Sequence, residues 1–467
     1  MRLALKDIER LPGAEITGRD VLRKAPPRGV ATDSRTTRAG DLFVALRGEN
    51  ADGHRFVGAA FAAGAAAAVV EKGFDRALAA GMPLVVVEST RDALGALGRI
   101  WRDRFAIPVI AVAGSNGKTT TKEMIAAVLG ERYRVLCTEG NYNNDIGVPL
   151  TLFRLRRNHE IAVVEIGTNH PGEIARLCAT LAPTHGLITT IGREHLEFFL
   201  TVEGVAREEG ALFEFLGHRR GGTAFVNADD PRVKAAAAMV PRTIAYGFRA
   251  RTAGMRGRGL ALDGEGRASF EFRGPRARSW QFVRLAIPGR HTAMGALAAA
   301  AAGAAFRVPQ GAIARALESR AAIPGRMEAM TIGGVRVLND AYNANPDSAL
   351  AALDALAALR VSGKKIAVLG DMKELGGAAA EGHEEIGRHA AALGIDYVLT
   401  FGTLAARIHA GAAIPGAIHY EARNALAEYL AELVAPGDAV LVKGSHAMRM
   451  DDIVAFLRER LAPDARR

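Results

Sequence analysis

Cysteine is almost missing from this sequence. The chain has only two cysteines, Cys137 and Cys178, and their spacing matches no metal-ligand motif. So little cysteine predicts reduced thiols in a reducing compartment and not a disulfide framework. Residues 1–20 carry charges throughout and have no apolar centre, unlike a signal peptide. Together these features predict a cytoplasmic protein.

Long hydrophobic runs are also missing. The alanine-rich stretches at 62–70 and 296–305 are too short to cross a bilayer and are typical of buried helices. We therefore expect no contact with a membrane. With 49% apolar residues in 467, the chain can instead build several substantial cores, and its length suggests about three domains.

No base-stacking cluster of aromatic residues accompanies the positive charge. Lysine and arginine number 60 against 50 acidic residues, a net charge of +10. The basic residues are scattered, and the densest stretch, 249–290, alternates with glycine and apolar residues as exposed strand faces do. Nucleic-acid binding, which would give salt-sensitive retention on DNA, is therefore disfavoured. Polyanionic small molecules are better partners for the excess charge.

Apolar strands alternate with helical stretches twice along the chain. This pattern predicts parallel sheets covered on both faces. Strands between about 245 and 290 alternate more strictly and predict an antiparallel appendage. The predicted fold is α/β with three domains: a small α/β N-terminal domain (1–88), a central domain with a parallel sheet (89–318) and a C-terminal Rossmann-like domain (319–467). Predicted strands are 84–88, 109–113, 161–166, 186–190, 223–227, 335–339, 365–370, 397–401 and 439–443.

A glycine-rich loop lies between a predicted strand and a predicted helix. It reads Gly114-Ser115-Asn116-Gly117-Lys118-Thr119-Thr120. Glycines allow a tight turn whose N–H groups point at phosphate oxygens, and the helix start adds partial positive charge. Lys118 suits the β and γ phosphates, and the Thr119 hydroxyl suits Mg²⁺. The strict motif requires glycine at position 112, which is Val112, so this is a variant phosphate loop.

Many further motifs, in one order along nearly the whole chain, resemble the Mur ligases of bacterial cell-wall synthesis. The N-terminal motifs are 32–35, 40–46 and 48–54, and the middle ones are 114–120, 141–150, 165–174 and 195–197. The last are 324–328, 340–348, 369–376 and 442–445. The stretches Asn141-Tyr142-Asn143-Asn144 and Tyr342-Asn343-Ala344-Asn345-Pro346 favour the branch that adds D-alanyl-D-alanine.

The resemblance implies an ATP-dependent amide ligase that uses Mg²⁺, with a UDP-substrate-binding domain at 1–88, a central ATP-binding domain at 89–318 and a Rossmann-like ligase domain at 319–467. Its substrates would be UDP-N-acetylmuramoyl-tripeptide and D-alanyl-D-alanine, joined through an acyl phosphate, and the protein would be a monomer. The alternative is that the chain is another ligase of the same superfamily, of the folylpolyglutamate or cyanophycin type. The first segment, which resembles a UDP-binding domain, argues against this alternative. A binding protein without catalysis is disfavoured because Lys118, Glu165 and His195 are all present.

The resemblance also assigns roles to individual residues. Lys118, Glu165, His195 and Arg326 would be catalytic, and Mg²⁺ would be held by Thr119, Glu165 and His195. ATP would contact the loop 114–120, His291, Arg326 and Asp340. Substrate contacts would come from Ser34 and Arg35 (UDP), Asn143 and Asn144 (carboxyl end), and Tyr342, Asn343 and Asn345 (dipeptide). Taken alone, a lone histidine is more often structural, a lone arginine is often on the surface, and turn chemistry explains many asparagines.

Three positions depart from the family pattern. Most members carry a carbamylated lysine where this chain has Glu209, and our hypothesis is that Glu209 supplies a permanent carboxylate to the second Mg²⁺ without CO₂. The alternative is a solvated helix carboxylate. Thr292 and Gly295 replace two asparagines near adenine. His446 replaces an arginine, for which Arg449 is a candidate substitute.

Overall fold

The computed structural model describes residues 1–48, 51–79 and 81–461. These residues form two compact units. The first consists of Met1–Ala111, Tyr133–Thr168 and Gly172–His185. The second consists of Val112–Arg132, Asn169–Pro171 and the chain from Gly186 onward. Two residues of the sequence motif 48–54, Glu49 and Asn50, lie outside the described residues.

Helices and strands alternate along most of the chain. The helices are α1 Leu5–Ile8, α2 Arg19–Lys24, α3 Val57–Ala62, α4 Thr90–Arg102, α5 Lys118–Gly130, α6 Gly147–Phe153, α7 Glu173–Leu181, α8 Leu196–Phe199, α9 Val202–His218, α10 Pro231–Ala236, α11 Thr292–Ala305, α12 Gln310–Ser319, α13 Pro346–Ala358, α14 Ala379–Ala392, α15 Ala406–Ala412, α16 Arg423–Leu433 and α17 Asp451–Leu461. The strands are β1 Glu15–Ile16, β2 Gly29–Ala31, β3 Asp41–Val44, β4 Ala67–Glu71, β5 Leu84–Val87, β6 Val109–Ala113, β7 Val135–Cys137, β8 Ile161–Glu165, β9 His185–Ile188, β10 Thr223–Asn227, β11 Arg242–Gly247, β12 Met255–Leu262, β13 Arg267–Arg273, β14 Gln281–Pro288, β15 Glu328–Ile332, β16 Val335–Asp340, β17 Lys365–Gly370, β18 Tyr397–Phe401, β19 Ala417–Tyr420 and β20 Ala439–Lys443.

The first unit contains a five-stranded sheet in the order β1-β5-β4-β3-β2. Strands β2 to β5 are parallel, and the short β1 joins β5 antiparallel at the edge. Its core is formed by apolar side chains including Phe43, Val57, Val70 and Val86. The same unit also contains the parallel pair β7 and β8. Continuous apolar strands of this kind are buried on both faces, as parallel sheets require.

The central strands of the second unit run in the order β14-β13-β12-β11-β10-β9. Strand β11 pairs in parallel with both β10 and β12, whereas β12, β13 and β14 are antiparallel. This confirms the antiparallel appendage. It begins at β12 instead of near residue 245, because β11 still belongs to the parallel part.

A six-stranded sheet forms the C-terminal part of the second unit, in the order β15-β16-β20-β17-β18-β19. All neighbours are parallel except the edge hairpin β15–β16. Val337, Val368, Leu399 and Val440 build its core with α16 and α17. The predicted Rossmann-like architecture is thereby confirmed, and β15 and β19 are strands that the sequence analysis did not predict. Ligands of such sheets bind beyond the carboxyl ends of the strands.

Local signals set the helix starts nearest this edge. Asn345 caps α13 by accepting the N–H of Ser348, whose hydroxyl lies 3.1 Å from the Asn345 nitrogen, and Pro346 occupies the first helical turn. Thr201 caps α9 by accepting the N–H of Gly204. No helix in the described ranges is long and apolar enough to cross a membrane, as the short alanine runs predicted.

Candidate active site

Glycine and two threonines shape the loop between β6 and α5. Gly114 has φ +114° and Gly117 has φ +77°, both in the region that favours glycine. A Cβ on Gly114 would lie 2.4 Å from Oγ1 of Thr189 and 2.9 Å from the carbonyl oxygen of Thr190, so no side chain fits there. The next two N–H groups are also fixed: Ser115 donates to the Thr190 carbonyl (2.9 Å) and Asn116 to its hydroxyl (3.1 Å).

Lys118 folds back over this loop. Its Nζ donates to the carbonyl oxygens of Gly114 at 2.5 Å and Ser115 at 3.4 Å, and it lies 3.4 Å from Oε2 of Glu194. Lys118 and the buried Thr119 occupy the first turn of α5. The first N–H groups of a helix have no helical acceptor and carry partial positive charge, so this turn suits an anion. The lysine charge adds to that field.

Two buried carboxyl groups lie beside the loop. Glu209 is fully buried, and its Oε2 accepts the N–H of Gly114 at 2.7 Å. It also makes a side-chain contact with Glu194, of which only 6% of the side chain is exposed. Burial, and then the charge of Glu194, raise the pKa of Glu209 well above its usual range, while Lys118 opposes the shift. Two facing carboxyl groups of this kind require a shared proton or a cation between them.

His195 contacts a residue from the C-terminal sheet. Its Nδ1 lies 2.6 Å from Oε2 of Glu374, within ion-pair distance although the approach departs from hydrogen-bond geometry. Its Nε2 lies 4.0 Å from Oε2 of Glu194. The contact with His195 lowers the pKa of the Glu374 carboxyl. The backbone reinforces the connection, because the N–H of Glu197 donates to the Glu374 carbonyl at 3.1 Å.

Two further contacts join the loop region to α13 and α14. The Asn345 side-chain amide donates to Oδ1 of Asn116 in the phosphate loop at 2.9 Å. Arg193, just before Glu194, contacts Asp347 with both its backbone N–H (2.7 Å) and its Nε (2.8 Å), and its guanidinium also pairs with Glu385. These contacts hold the start of α13 against the phosphate loop.

Arg326, Tyr342 and Asp340 lie around the carboxyl end of β16. The guanidinium of Arg326 stacks 3.9 Å from the centre of the Tyr342 ring. Asp340 accepts the N–H of Met327 at 2.9 Å and the Nζ of the buried Lys443 at 2.5 Å. Lys443 also donates to the Asn343 carbonyl at 2.9 Å. Asp340 therefore stabilises its own surroundings in this structure, and its contact with ATP stays a prediction.

The predicted substrate residues of the first unit form two local clusters. Arg35 is 87% exposed and pairs with Asp33 at 2.6 Å; this hydrogen-bonded pair lowers the pKa of Asp33 to about 2. Ser34 lies between these two residues in the sequence. The amide of Asn143 donates to Oε1 of the buried Glu165 at 2.8 Å. Asn144 accepts the N–H groups of Ile146 and Gly147, which is the turn role that asparagine commonly plays.

Comparison with known proteins places the chain in a family. Three family models match: "Mur ligase family, catalytic domain" at residues 27–102, "Mur ligase middle domain" at 112–303 and "Mur ligase, glutamate ligase domain" at 325–446. The UDP-N-acetylmuramoyl-tripeptide--D-alanyl-D-alanine ligase of Escherichia coli is 35% identical over 462 residues, which is 98% of each chain. The chain belongs to the Mur ligase family.

Solved structures of Mur ligases agree with this assignment. MurF from Acinetobacter baumannii matches with a TM-score of 0.89 and 31% identity, covering 98% of this chain and 99% of that one. MurF from Thermotoga maritima, solved in complex with ADP, matches with a TM-score of 0.82 and 30% identity, covering 95% and 99%. The UDP-N-acetylmuramoyl-tripeptide--D-alanyl-D-alanine ligase of Bacillus subtilis is 36% identical to this chain. The match covers 92% of this chain and 93% of that protein.

The Mur ligase resemblance predicted Mg²⁺, and the donors fit it unevenly. The hydroxyl of Thr119 and the carboxylates of Glu165 and Glu194 are the hard oxygen ligands that Mg²⁺ prefers. Glu209 has no exposed surface; its Oε2 holds the Gly114 N–H, and its Oε1 has no hydrogen-bond partner. Among the described side chains, no group of three or more His, Cys, Asp or Glu residues forms a preassembled metal site. The metal roles of Thr119, Glu165, His195 and Glu209 remain predictions.

The structure gives a physical reason for glycine at position 295, one of the departures from the family pattern noted in the sequence. A Cβ at this position would lie 2.7 Å from Oγ1 of Thr121, since α11 packs closely against α5. Thr292 closes the preceding turn by donating to the Gly289 carbonyl at 2.7 Å. His291 is exposed at the start of α11, and its contact with adenine stays a prediction. His446 lies 5.4 Å from Tyr342 between ring centres, whereas Arg449 pairs with Asp452.

Sequence reasoning missed Glu194, Arg193 and Glu374. Glu194 and Arg193 immediately precede His195 and follow a buried strand, and that position was an available signal. For Glu374 the sequence offered only its place inside the motif 369–376. Its backbone has φ +64°, and that of His195 has φ +47°. Left-handed conformations of residues other than glycine are rarely readable from sequence.

Proposed function

We propose that this Mur ligase is an ATP-dependent enzyme that joins D-alanyl-D-alanine to UDP-N-acetylmuramoyl-tripeptide in the cytoplasm, acting as a monomer. The observation that carries the proposal is the phosphate loop: a glycine turn that tolerates no side chain at Gly114, followed by Lys118 and Thr119 at a helix start. Similarity to the Escherichia coli ligase over 98% of both chains supports the choice of substrates.

The reaction begins with transfer of the γ-phosphoryl group to the terminal carboxylate of the tripeptide, which releases ADP. The neutral amine of the dipeptide then attacks the acyl carbon, phosphate leaves, and the amide nitrogen loses a proton. The first step brings two anions together, and like charges 4 Å apart repel by about 4 kcal/mol at an effective dielectric constant of 20. Fixed cations at that point are therefore the main catalytic requirement.

Lys118 and Arg326 supply these cations. On nucleotide binding, Nζ of Lys118 exchanges its contacts with the carbonyls of Gly114 and Ser115 for phosphate oxygens. Arg326, held flat against Tyr342, offers a planar fork that matches the γ-phosphate. Bound Mg²⁺, held by Thr119, Glu165 and His195, would neutralise charge on the phosphates.

Other residues position the substrates. Ser34 and Arg35 hold the UDP group, and Asn143, fixed by Glu165, holds the carboxyl end of the tripeptide together with Asn144. Tyr342, Asn343 and Asn345 border the dipeptide site, and His291 and Asp340 contact the adenosine. Asn345 and Arg193 keep α13 against the phosphate loop, so nucleotide and dipeptide are oriented by one connected structure.

An ADP-release assay with purified protein tests the proposal. The complete mixture contains ATP, Mg²⁺, UDP-N-acetylmuramoyl-tripeptide and D-alanyl-D-alanine, and each component is omitted in turn. We expect ADP release to require all four, with one amide formed per ADP. Release of ADP with folate and glutamate in place of the muropeptide would favour the other ligase type. No ADP release in the complete mixture would refute the proposal.

A further inference from the structure

Glu209 occupies the buried face of α9. The buried residues of this helix include Val205, Glu209, Leu212 and Leu216, at spacings of four, three and four. This is the apolar stripe of an amphipathic helix, in which an unsatisfied carboxyl group would be costly. A glutamate with no exposed surface at such a position needs a specific partner. The alternative of a solvated helix carboxylate, raised by the sequence, is wrong.

That partner is the backbone of the phosphate loop. Oε2 of Glu209 accepts the N–H of Gly114 at 2.7 Å, where the chain leaves β6 and turns with φ +114°. Thr190 accepts the next two N–H groups, those of Ser115 and Asn116. Three successive N–H groups of the loop are therefore bonded to the protein. Anion binding falls to the residues from Gly117 onward, at the start of α5.

The surroundings do not favour Glu209 as a metal ligand. One oxygen accepts Gly114, and the carboxyl group contacts that of Glu194. A ligand of Mg²⁺ needs an oxygen directed at the ion, and the ion usually keeps several waters. The other oxygen, Oε1, has no hydrogen-bond partner, but the side chain has 0% exposure, which leaves no space beside it for an ion that keeps its waters.

We propose that Glu209 is a positioning residue that holds the Gly114 peptide of the phosphate loop and does not ligate the metal. The inference rests on the proposed function only in assuming that the loop binds the phosphates of ATP. Without the carboxyl acceptor, the Gly114 N–H is buried and unsatisfied, and the loop relaxes toward shapes that hold phosphate less well. The effect appears in nucleotide affinity even when no metal is present.

The experiment compares three variants by calorimetric titration with ADP in the presence of EDTA. Glu209→Met keeps the length and apolar packing but removes the acceptor. Glu209→Gln keeps an acceptor for Gly114 and a donor for Glu194. Glu214→Gln, an exposed glutamate on the same helix, is the matched control. Thermal unfolding confirms that each variant is folded. If Glu209→Met does not fold, Glu209→Ala is used in its place.

We expect ADP affinity to fall on the order of tenfold in Glu209→Met, the loss of about one buried hydrogen bond, and to stay within about threefold of the wild type in Glu209→Gln and the control. Unchanged ADP affinity in Glu209→Met would overturn the proposal. The Mg²⁺ concentration for half-maximal ADP release should be the same in Glu209→Gln as in the wild type, and a tenfold increase would instead identify a metal ligand. If the wild-type protein binds ADP neither in EDTA nor with Mg²⁺ present, the proposed function fails, independently of Glu209.

Discussion

The carboxylate of Glu374 lies 2.6 Å from Nδ1 of His195, although the two residues belong to different parts of the second unit. Both have left-handed backbone conformations, with φ of +64° and +47°. Such conformations cost free energy in residues other than glycine and persist where surrounding contacts enforce them. The pair therefore fixes the direction of Nε2, which points toward Glu194 at 4.0 Å.

Replacing Glu374 should raise the Mg²⁺ concentration that the enzyme requires, with a smaller effect on its thermal stability. If His195 binds Mg²⁺ through Nε2, loss of its carboxylate partner should raise the Mg²⁺ concentration for half-maximal activity roughly tenfold, as for other residues that orient a metal ligand. Steady-state ADP release in Glu374→Ala at varied Mg²⁺ measures this. Glu381→Ala, an exposed glutamate of α14, is the control. A lower melting temperature with an unchanged Mg²⁺ requirement would assign Glu374 a purely structural role.

Replacing Lys118 should abolish most turnover. Lys118→Ala removes the charge at the helix start that faces the phosphates, and we expect kcat to fall by a factor on the order of 10² to 10³. The fold should persist, because losing the Nζ contacts with the loop carbonyls and Glu194 leaves the apolar cores intact. Lys234→Ala, at an exposed lysine, should retain full activity. Comparable kcat values for the two variants would contradict the assignment of the loop.

The Arg193–Asp347 contact should couple the phosphate loop region to α13. A double-mutant cycle with Arg193→Ala and Asp347→Ala should give an interaction energy of roughly 1 kcal/mol in urea unfolding, because both side chains are partly exposed. Each single change should also raise the KM for ATP several-fold. The same cycle at the exposed pair Arg388 and Glu381 should leave KM unaltered. Additive effects on both quantities at Arg193 and Asp347 would exclude coupling.

Gly295 should resist replacement by alanine. In an ordinary helix, glycine to alanine stabilises by about 1 kcal/mol. Here the added Cβ would lie 2.7 Å from Oγ1 of Thr121, and overpacking typically costs about 1 to 3 kcal/mol. Urea unfolding of Gly295→Ala should therefore show a lower free energy of unfolding than the wild type. Gly377→Ala, where the new methyl group meets nothing within 4 Å, is the comparison. A stabilised Gly295→Ala would mean that α5 and α11 separate easily.

Asp438 should contribute a pH-dependent share of stability. Burial alone would raise its pKa, but hydrogen bonds from the backbone of Ala435 and Lys364 and from the Lys364 side chain lower it. A carboxyl with a lowered folded-state pKa stabilises the fold above its unfolded pKa near 3.8, and this contribution disappears as pH falls through the folded value. The free energy of unfolding of Asp438→Asn should therefore be below that of the wild type at pH 7, and the difference should narrow as the pH falls below 3.8. A difference that stays constant as the pH is lowered from 7 through the acid range would contradict this.

The sequence predicted those features that depend on local pattern. Apolar strands, the glycine turn before Lys118 and the antiparallel strands after β11 follow from periodicity and turn residues. Contacts between distant segments were not readable, because Glu374 reaches His195, and Asn345 reaches Asn116, only once the sheets are assembled. For Glu209 the sequence allowed its burial to be predicted but not its hydrogen-bond partner, Gly114. Its spacing with Val205 and Leu212 already placed it on the buried face of a helix, which argues against an exposed carboxylate.

Asn345 has two tasks that require opposite ends of one amide. Its oxygen accepts the N–H of Ser348 at the start of α13, and its nitrogen donates to Asn116. Aspartate, serine and threonine are comparable helix caps, but ionised aspartate has no donor, and a serine or threonine hydroxyl carries its donor and acceptor on one atom instead of on two. Fewer residue types can therefore serve at position 345 than helix capping alone would allow, and even the change Asn345→Asp would remove the hydrogen bond between α13 and the phosphate loop.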